Sequence, residues 1–172
     1  FRDEGIEKLT SRNLGKKLGS SACPIFTVFS SMEDVEAAML ETAKAIYKGY
    51  VEKGLAQKPP FRGVGEQYIR FASDEPRLFQ LLFMSETKKA TPLNCILPML
   101  DESYHKILHS IMASASIDQQ TAEKLYRHLW VYTHGIACLC ATKTCQFSEQ
   151  ETQRMLTEVF QSLLKNMGTS HE

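Results

Sequence analysis

Apolar residues recur at intervals of three and four along almost the whole chain. This spacing places them on one face of a helix, whereas the alternation that marks a half-buried strand is rare. No segment of the sequence repeats, and no low-complexity tract interrupts the pattern. The sequence therefore predicts an all-α fold, with a small N-terminal helical unit followed by a bundle of about six helices.

The predicted helices are bounded by residue types that begin or end helices in other proteins. Ser31, Asp118 and Ser148 are candidate N-caps, and Ser148 with Glu151 has the spacing of a capping box. Pro98 is compatible with the first turn of its helix. In chain order the expected helices cover residues 1–4, 10–18, 21–27, 32–53, 61–72, 77–86, 94–115, 118–144 and 148–166.

Length and composition allow one ordinary domain, or a large domain that carries a small one. The 172 residues are 43% hydrophobic and 23% charged, which favours a folded core over disorder. Because the chain begins at Phe1 without a methionine, we expect a preceding segment to be missing. No apolar run approaches the ~20 residues that span a membrane, so no membrane partner is expected.

The cysteines and histidines form no recognised metal or disulfide pattern. Five cysteines make neither an even framework nor a C-x-x-C motif, so we expect free thiols in a reducing cytoplasm. His105 and His109 have the spacing of a helical metal pair. They lie on the polar flank of their predicted helix, however, and a solvated face is the preferred interpretation. Neither a metal nor another cofactor is expected.

Basic residues are concentrated near the N-terminus, although the formal net charge of the chain is zero. The segment from Lys8 to Met32 contains no acidic residue between its ends. Such a patch can neutralise phosphates even in a neutral protein. The segment also has the composition of a helix-turn-helix with a turn at Gly19. The residues expected on its inward faces are Leu9, Leu14, Leu18, Ile25 and Phe29.

The order of residues from Gly5 to Phe29 resembles the N-terminal domain of the tetracycline-repressor-like (TetR) family. LTSRNLGKKLGSS followed by PIFTVF matches the family pattern G-x-x-x-L-T-x-R-x-L-x-x-x-L-G-x-S-x-x-x-[IL]-[YF]-x-x-F. The next segment, SM-E-D-V, is similar to one branch of that family. RFASDEPRLFQLLFMS and LWVYTHGIACL resemble later family segments more loosely, so the similarity covers most of the chain.

The resemblance implies a homodimeric transcriptional regulator, most often a repressor, that responds to a ligand. The helix-turn-helix DNA-binding domain would cover residues 1–31, N-terminally incomplete and extending into the start of the next helix. Residues 32–172 would form a helical ligand-binding and dimerisation domain. The implied partners are palindromic operator DNA, a small apolar or aromatic effector and a second copy of the chain. Effector binding would change the spacing of the two DNA-reading units.

Several polar residues of the N-terminal unit are candidates for phosphate contacts. Thr10, Ser11 and Ser21 offer hydroxyls and helix N-terminal N–H groups. Lys16 and Lys17 follow and add long-range attraction to the DNA backbone. Contacts of this kind position the protein and carry no sequence information directly.

Arg12 is the candidate base reader, because it matches a position from which family members reach a base edge. Its guanidinium can hold guanine through two hydrogen bonds. The alternative is a solvated cation or an ion pair with Glu7 or Glu33. Phe26 and Met32 replace the Tyr and Lys of many family members, which indicates weaker anchoring to phosphate.

The outward positions of the second short helix are occupied by small residues. Ala22, Cys23, Pro24 and Thr27 can contact thymine methyl groups and supply one hydroxyl bond. This predicts recognition by fit more than by hydrogen bonding. Cys23 is interpreted mainly as a small space-filling residue. A second hypothesis is that its oxidation changes the affinity for DNA.

Aromatic and polar residues of the middle helices are candidates for an effector pocket. Their composition favours an apolar or aromatic ligand over a charged one. Tyr68, Tyr104 and His134 could orient it. For each residue an ordinary position in the core is the alternative. The full candidate set is Phe61, Tyr68, Phe79, Phe83, Met99, Tyr104, Trp130 and His134.

The segment 131–141 is apolar on nearly every side of its predicted helix, so it must be buried all round. Its own bundle can cover one side and a partner subunit the other. The last helix also has a broad apolar face. The candidate dimer contacts are Val131, Gly135, Ala137, Cys138, Leu156, Phe160 and Leu163.

An enzyme and a ligand-binding protein without DNA binding are the two alternative classes of function. An enzyme is not expected, because the sequence has no nucleophile elbow, phosphate-binding glycine loop or H-E-x-x-H motif. The second alternative is a helical small-molecule-binding protein that has lost DNA binding, suggested by Phe26 and Met32. A salt-dependent shift of promoter DNA would separate it from a regulator.

Overall fold

A computed structural model describes residues 9–86, 90–100 and 103–168, without the side chains of 99, 100 and 168. These residues form helices and connecting loops, with no strand among them, and the predicted all-α fold is confirmed. The helix end predicted over residues 1–4 lies outside the described residues. The helices are α1 (Ser11–Lys17), α2 (Cys23–Phe26), α3 (Met32–Leu55), α4 (Pro60–Asp74), α5 (Pro76–Phe83), α6 (Leu93–Leu100), α7 (Tyr104–Ala115), α8 (Gln119–Ala141) and α9 (Glu149–Gly168).

Hydroxyl and carboxylate caps begin four of these helices. The Thr10 hydroxyl accepts from the Asn13 N–H at 3.2 Å, before α1. Ser31 accepts from Asp34 at 3.2 Å before α3, and Asp118 accepts from Thr121 at 2.7 Å before α8. Before α9, the Ser148 hydroxyl accepts from the Glu151 N–H at 3.2 Å. The predicted N-caps Ser31, Asp118 and Ser148 are confirmed, because each satisfies an amide that the first turn leaves without a partner.

The single helix predicted over residues 94–115 is wrong. It is divided into α6 and α7, and Ser103 precedes α7 with φ −85° and ψ 3°, outside regular helix geometry. Pro98 lies inside α6 and not in a first turn. It removes an intrahelical N–H and its ring clashes with the preceding turn, which weakens the helix before the break. The bundle therefore contains one helix more than the periodicity predicted.

The C-terminal end of α8 also differs from the prediction, since the helix ends at Ala141 and not near Thr144. The Thr142 hydroxyl donates to the carbonyl of Cys138 at 2.8 Å. Lys143 then adopts a positive φ of 57°, which a helix cannot continue through. Local side-chain bonding thus ends this helix earlier than its apolar pattern suggests.

α1 and α2 form a compact pair joined by a tight turn. Gly19 has a φ of +65°, in the left-handed region that favours glycine. A Cβ added to Gly15 would lie 2.8 Å from the backbone carbonyl carbon of Ser21, so the two segments cross closely. Ile25 is buried here, but Leu18 is 64% exposed. The expectation that Leu18 faces inward is wrong, because α1 ends at Lys17 and the turn carries the next residue outward.

α2 is shorter than the sequence predicts. It begins at Cys23 with Ala22 as N-cap, and it ends at Phe26, before Thr27. Ser21 is therefore not the helix cap, although its hydroxyl accepts from the Cys23 N–H at 3.3 Å. Pro24 is the second residue of the helix, where its missing N–H has no intrahelical partner to lose.

The core lies in the bundle formed by the later helices. α4 packs against α3 on one side and α8 on another, and α7 and α9 pack against α8. Ile25 and Val35 are buried outside this cluster, near the N-terminal pair. Among the helices described, none is both long and apolar enough to cross a membrane. The largest fully buried side chains are Val51, Phe71, Phe79, Ile107, Ile111 and Leu125.

The backbones of α3 and α4 meet at two glycines. A Cβ added to Gly54 would lie 2.6 Å from the Cα of Val64, and one added to Gly63 would overlap the carbonyl oxygen of Gly54. No side chain can occupy either position without moving a helix. The two glycines therefore set how closely α3 and α4 approach.

We expect Gly54→Ala to lower the free energy of unfolding by about 1–3 kcal/mol, because its new methyl group meets backbone and forces α3 and α4 apart. Gly49→Ala is the matched control on the same helix, since nothing lies within 4 Å of a Cβ at that position. It should be neutral, or stabilising by up to about 1 kcal/mol. Urea denaturation at one fixed protein concentration measures both. Equal effects of the two substitutions would contradict the close backbone contact.

Candidate functional site

A cavity of about 270 Å³ lies among α4, α8 and α9. Its apolar walls come from Phe61, Leu129, Leu156 and Phe160, which belong to these three helices. An apolar cavity with a few polar groups is the usual form of a small-molecule site. The remaining lining residues are Pro59, Arg62, Gly65, Ser114, Thr133, Thr157 and Gln161.

A smaller cavity of about 30 Å³ adjoins the first. Both are lined by Phe61, Gly65, Leu129 and Thr133, so they share one wall. The smaller cavity extends this wall toward the centre of the bundle. Its other lining residues are Tyr47, Val64, Tyr68, Tyr126 and Trp130.

Only part of the predicted pocket set lies at these cavities. Phe61 lines both, and Tyr68 and Trp130 line the smaller one. The Met99 side chain lies outside the described residues. The other candidates, which line neither of these two cavities in the described part of the chain, are Phe79, Phe83, Tyr104 and His134.

Phe79 and Phe83 instead belong to an aromatic cluster within the core. Phe79 is completely buried, and its ring centroid lies 5.2 Å from that of Phe83 and 5.4 Å from that of Tyr68. Tyr104 packs on Tyr126, which lines the smaller cavity, with ring centroids 5.7 Å apart. Edge and tilted ring pairs of this kind stabilise a core. Phe79, Phe83 and Tyr104 therefore have the surroundings of ordinary core residues.

His134 is the centre of a polar group beside this cluster. Its Nδ1 lies 2.9 Å from the Tyr68 hydroxyl, and its Nε2 lies 3.3 Å from the Cys138 sulfur. Its ring stacks on Trp130, with centroids 4.8 Å apart and planes 9° from parallel. In a neutral imidazole one nitrogen donates and the other accepts, so the two hydrogen bonds determine each other's direction.

Burial controls the charge of this group. It lowers the pKa of His134 from its ordinary value, and it raises the pKa values of Tyr68 and Cys138. In each case burial disfavours the charged form. All three side chains are therefore neutral near pH 7, and the group is held together by hydrogen bonds between uncharged partners.

Arg62 brings a positive charge to the large cavity. Its Nε lies 3.2 Å from Glu66 Oε1, one turn further along α4. The Arg62 side chain is 42% exposed, whereas that of Glu66 is 12% exposed. Gln153 also donates to Glu66 Oε2, at 3.4 Å. The carboxylate thus lies between α4 and α9, and its Oε1 contact with Arg62 is an ion pair without hydrogen-bond geometry in the described part of the chain.

The candidate dimer contacts occupy different environments. Ala137 is completely buried within the protomer, and Leu156 is 6% exposed and lines the large cavity, as does Phe160. Ala137 and Leu156 face the inside of the bundle and provide no outer surface, which corrects that part of the expected set. Leu163 and Cys138 are half-buried. On the outer side of α8, Val131 is 52% exposed and Gly135 is exposed.

The candidate DNA contacts lie on the N-terminal pair. Arg12, Lys16, Lys17, Cys23 and Pro24 are exposed, as are Thr10, Ser21, Phe26 and Thr27, whereas Ser11 and Ala22 are partly buried. Some polar groups are already engaged within the chain. The Thr27 hydroxyl donates to the carbonyl of Pro24 at 2.6 Å, and the Thr10 hydroxyl caps α1. The Thr27 hydroxyl already donates its proton, whereas the Thr10 hydroxyl accepts from Asn13 and can still donate to a phosphate oxygen.

A family model described as the tetracyclin repressor-like C-terminal domain matches residues 61–166, more than half of the 172-residue chain. The chain belongs to the tetracycline repressor-like family. The matched segment extends from the start of α4 almost to the end of α9. It therefore contains the helices that line the large cavity. Members of this family are generally regulators and not enzymes.

One curated relative is named as an enzyme and not as a regulator. An aspartate–tRNA ligase of Xanthomonas euvesicatoria pv. vesicatoria (strain 85-10) is 23% identical over 176 residues. The aligned region covers 99% of this chain and 29% of the ligase, so the chain spans less than a third of that protein. Identity at this level over a minor part of an enzyme does not transfer its activity.

Arg62 and Thr133 are cavity residues that the sequence alone did not indicate. The segment FRGVG gives a weak signal near Arg62, because it places two glycines in one predicted helix. Glycine inside a helix often marks a close approach of another segment or an open space. A Cβ added to Gly65 would lie 3.2 Å from a Leu156 methyl group. The polar Thr133 lies in an apolar run, and nothing in its spacing distinguishes it from a core threonine.

We expect His134 to make stability depend on pH. Its folded-state pKa is lowered from 6.5, so the unfolded chain binds a proton more readily than the folded chain. The stabilising contribution is present above the unfolded pKa and is lost as the pH falls below 6.5 toward the folded pKa. His134→Gln should remove this part of the pH dependence, whereas His109→Gln on the exposed face of α7 should retain it. Urea unfolding between about pH 8 and pH 5.5 tests this, and parallel curves for the native protein and His134→Gln would contradict it.

Proposed function

We propose that the protein is a cytoplasmic repressor that binds a palindromic operator as a homodimer and releases it when a small molecule occupies the large cavity. The observation that carries this proposal is the family match over residues 61–166, because the same segment contains the helices that enclose the cavity. Residues 1–31 would then be the DNA-binding domain, and residues 32–172 the effector-binding and dimerisation domain.

The N-terminal pair has the charge that DNA binding requires. The segment between Lys8 and Met32 contains no acidic residue, and its Arg12, Lys16 and Lys17 are exposed. Cationic side chains displace counterions from the phosphate backbone, which gives affinity without sequence preference. Arg12 alone among them supplies a planar donor pair that can read guanine from α1.

The backbone contact between α4 and α3 supports coupling between the cavity and the helix that follows the N-terminal pair. Phe61 and Gly65 line the cavity, and Gly63 between them meets Gly54 of α3. A ligand that displaces this part of α4 therefore also displaces α3. Residues 27–31 connect α2 to the N-terminal end of α3, so movement of α3 would be passed to the proposed DNA-reading pair through this short connection.

An unpartnered apolar strip on α8 supports the homodimer. Val131, Gly135 and Leu139 are spaced four residues apart and are all exposed. Gly135 has nothing within 4 Å of an added Cβ, so a second helix can approach closely there. α9 contributes a face of partly buried apolar residues that pack only on one side, comprising Met155, Val159, Leu163 and Leu164.

For DNA binding, we expect log affinity to fall linearly with log salt concentration. Arg12→Ala should cost about 1–3 kcal/mol on an operator selected from a random palindromic library, and should relax the preference at one base pair per half-site. Lys16→Ala should weaken specific and random duplexes alike. Gel-shift titrations over a salt series measure all of these. If both substitutions act equally on operator and random DNA, Arg12 does not read a base.

For dimerisation, we expect Val131→Asp to convert the dimer to monomer, because it buries a charge in the proposed interface. Met84→Asp is the control, since Met84 is 42% exposed at the C-terminal end of α5 and does not belong to the exposed strip of α8. Sedimentation velocity at micromolar protein should show a dimer for the native chain and for the control. A native protein that is monomeric under these conditions contradicts the proposal. A charged residue at Ala137 would not test the interface, because Ala137 is completely buried within the protomer and the substitution would disturb the fold.

A helical ligand-binding protein without DNA binding is the second candidate. It is favoured by Phe26 and Met32, which replace the Tyr and Lys that anchor many family members to phosphate. Ligand binding with no salt-dependent shift of any duplex would support this candidate over the repressor.

A further inference from the structure

We propose that the effector is a small organic acid, with an apolar body enclosed by the large cavity and a carboxylate bound by Arg62. The inference rests on the proposed function only in taking this cavity as the effector site. It narrows the ligand to one chemical class, which neither the apolar walls nor the family match specifies.

The surface and volume of the cavity favour a compact apolar group as the main part of the ligand. Phe61, Leu129, Leu156 and Phe160 present aromatic and aliphatic surface from three helices. Its volume of about 270 Å³ is near the lower end of the range for ligand pockets, roughly 300–1,000 Å³. A compact apolar group such as two fused rings or a short alkyl chain fits both properties.

The charge of the lining residues favours a negatively charged group at the other end of the ligand. Arg62 is the charged residue among the lining residues, which include no aspartate or glutamate. Its Nε is paired with Glu66, and no described residue accepts a hydrogen bond from its terminal Nη atoms. Glu66, the ion-pair partner of Arg62, lies outside this cavity lining. The Nη pair is left to bind a carboxylate, the partner whose geometry it matches.

The N-terminus of α4 adds to the same preference. Pro59, Phe61 and Arg62 all line the cavity, so the helix begins at its edge. Pro59 is the N-cap and no side chain caps the first turn. The free N–H groups and the helix dipole of this 15-residue helix favour an anion near its start. A cationic ligand would meet both the dipole and Arg62 unfavourably.

Thr133 adds a polar group to the cavity lining. This side chain is only 7% exposed and lines both cavities. No hydrogen bond joins its hydroxyl to any residue in the described ranges. The hydroxyl can therefore donate to or accept from a polar atom of a bound ligand. The otherwise apolar part of the ligand can therefore carry one polar substituent, placed against the Thr133 hydroxyl.

Matched probes test the charge preference on the full chain without DNA. Isothermal titration calorimetry compares a naphthalene carboxylate, its carboxamide and the corresponding naphthylmethylamine, and then octanoate with octanamide. We expect at least one carboxylate to bind about tenfold or more tightly than its amide, as charge-assisted hydrogen bonds require. The amine should bind most weakly.

Variants then assign the preference to Arg62. Arg62→Gln should reduce carboxylate affinity to that of the amide, and the double variant Arg62→Gln with Glu66→Gln should do the same without leaving a buried charge unpaired. Glu66→Gln alone should retain or increase the preference. Arg70→Gln is the matched control, since Arg70 lies two turns further along α4 and does not line this cavity. Circular dichroism of each variant checks that it is folded.

The outcomes separate this inference from the proposed function. It is overturned if no probe binds, if carboxylate and amide bind equally, or if the preference survives in both Arg62→Gln variants. Carboxylate binding by a protein that shifts no DNA supports the acid preference and contradicts the repressor. Operator release by the amide alone supports the repressor and contradicts the acid preference.

Discussion

The close backbone contact between α3 and α4 is the constraint on which the other features depend. Gly54 and Gly63 allow it because neither carries a Cβ, and each would collide with the opposite helix if it did. The contact fixes α4, and α4 supplies Phe61, Arg62 and Gly65 to the cavity. The position of the cavity wall and the direction of the helix that leads to the N-terminal pair are therefore set at one crossing.

The centre of the bundle combines apolar packing with one small polar group. Tyr68, His134 and Cys138 are hydrogen-bonded beside stacked and tilted aromatic rings, so their polar atoms have partners where water is excluded. Tyr68 and Trp130 also line the smaller cavity. A ligand that reached this cavity would contact residues whose hydrogen bonds extend across the core, from α4 to α8.

Local signals predicted much of the fold, because a cap or an apolar period acts within a few residues. Ser31, Asp118 and Ser148 begin their helices as expected, and the long helices lie within a few residues of their predicted ends. The division between α6 and α7 was not predicted, since the apolar period continues across it. Periodicity measures one face of a helix and does not show where a chain leaves the helix.

The cavity could be predicted only in part, because its lining depends on which face of each helix meets which neighbour. Leu156 and Phe160 lie on an apolar face of α9 that the sequence could not divide between the protomer and a partner. His134 was expected to orient a ligand, yet its two ring nitrogens are engaged by Tyr68 and Cys138. The sequence does not single out Arg62, because a charged residue near a helix start is ordinary and the neighbouring glycines are only a weak signal.

The length of α3 gives the glycine contact a mechanical consequence. Gly54 lies next to the C-terminal end of this 24-residue helix, and the proposed DNA-reading pair adjoins its N-terminal end. At a rise of about 1.5 Å per residue the helix is about 36 Å long, so a tilt of about 5° at the glycine end displaces the other end by about 3 Å. Under the proposed function α3 would act as a lever with its short arm at the glycine contact, so that a small shift there is amplified at the far end.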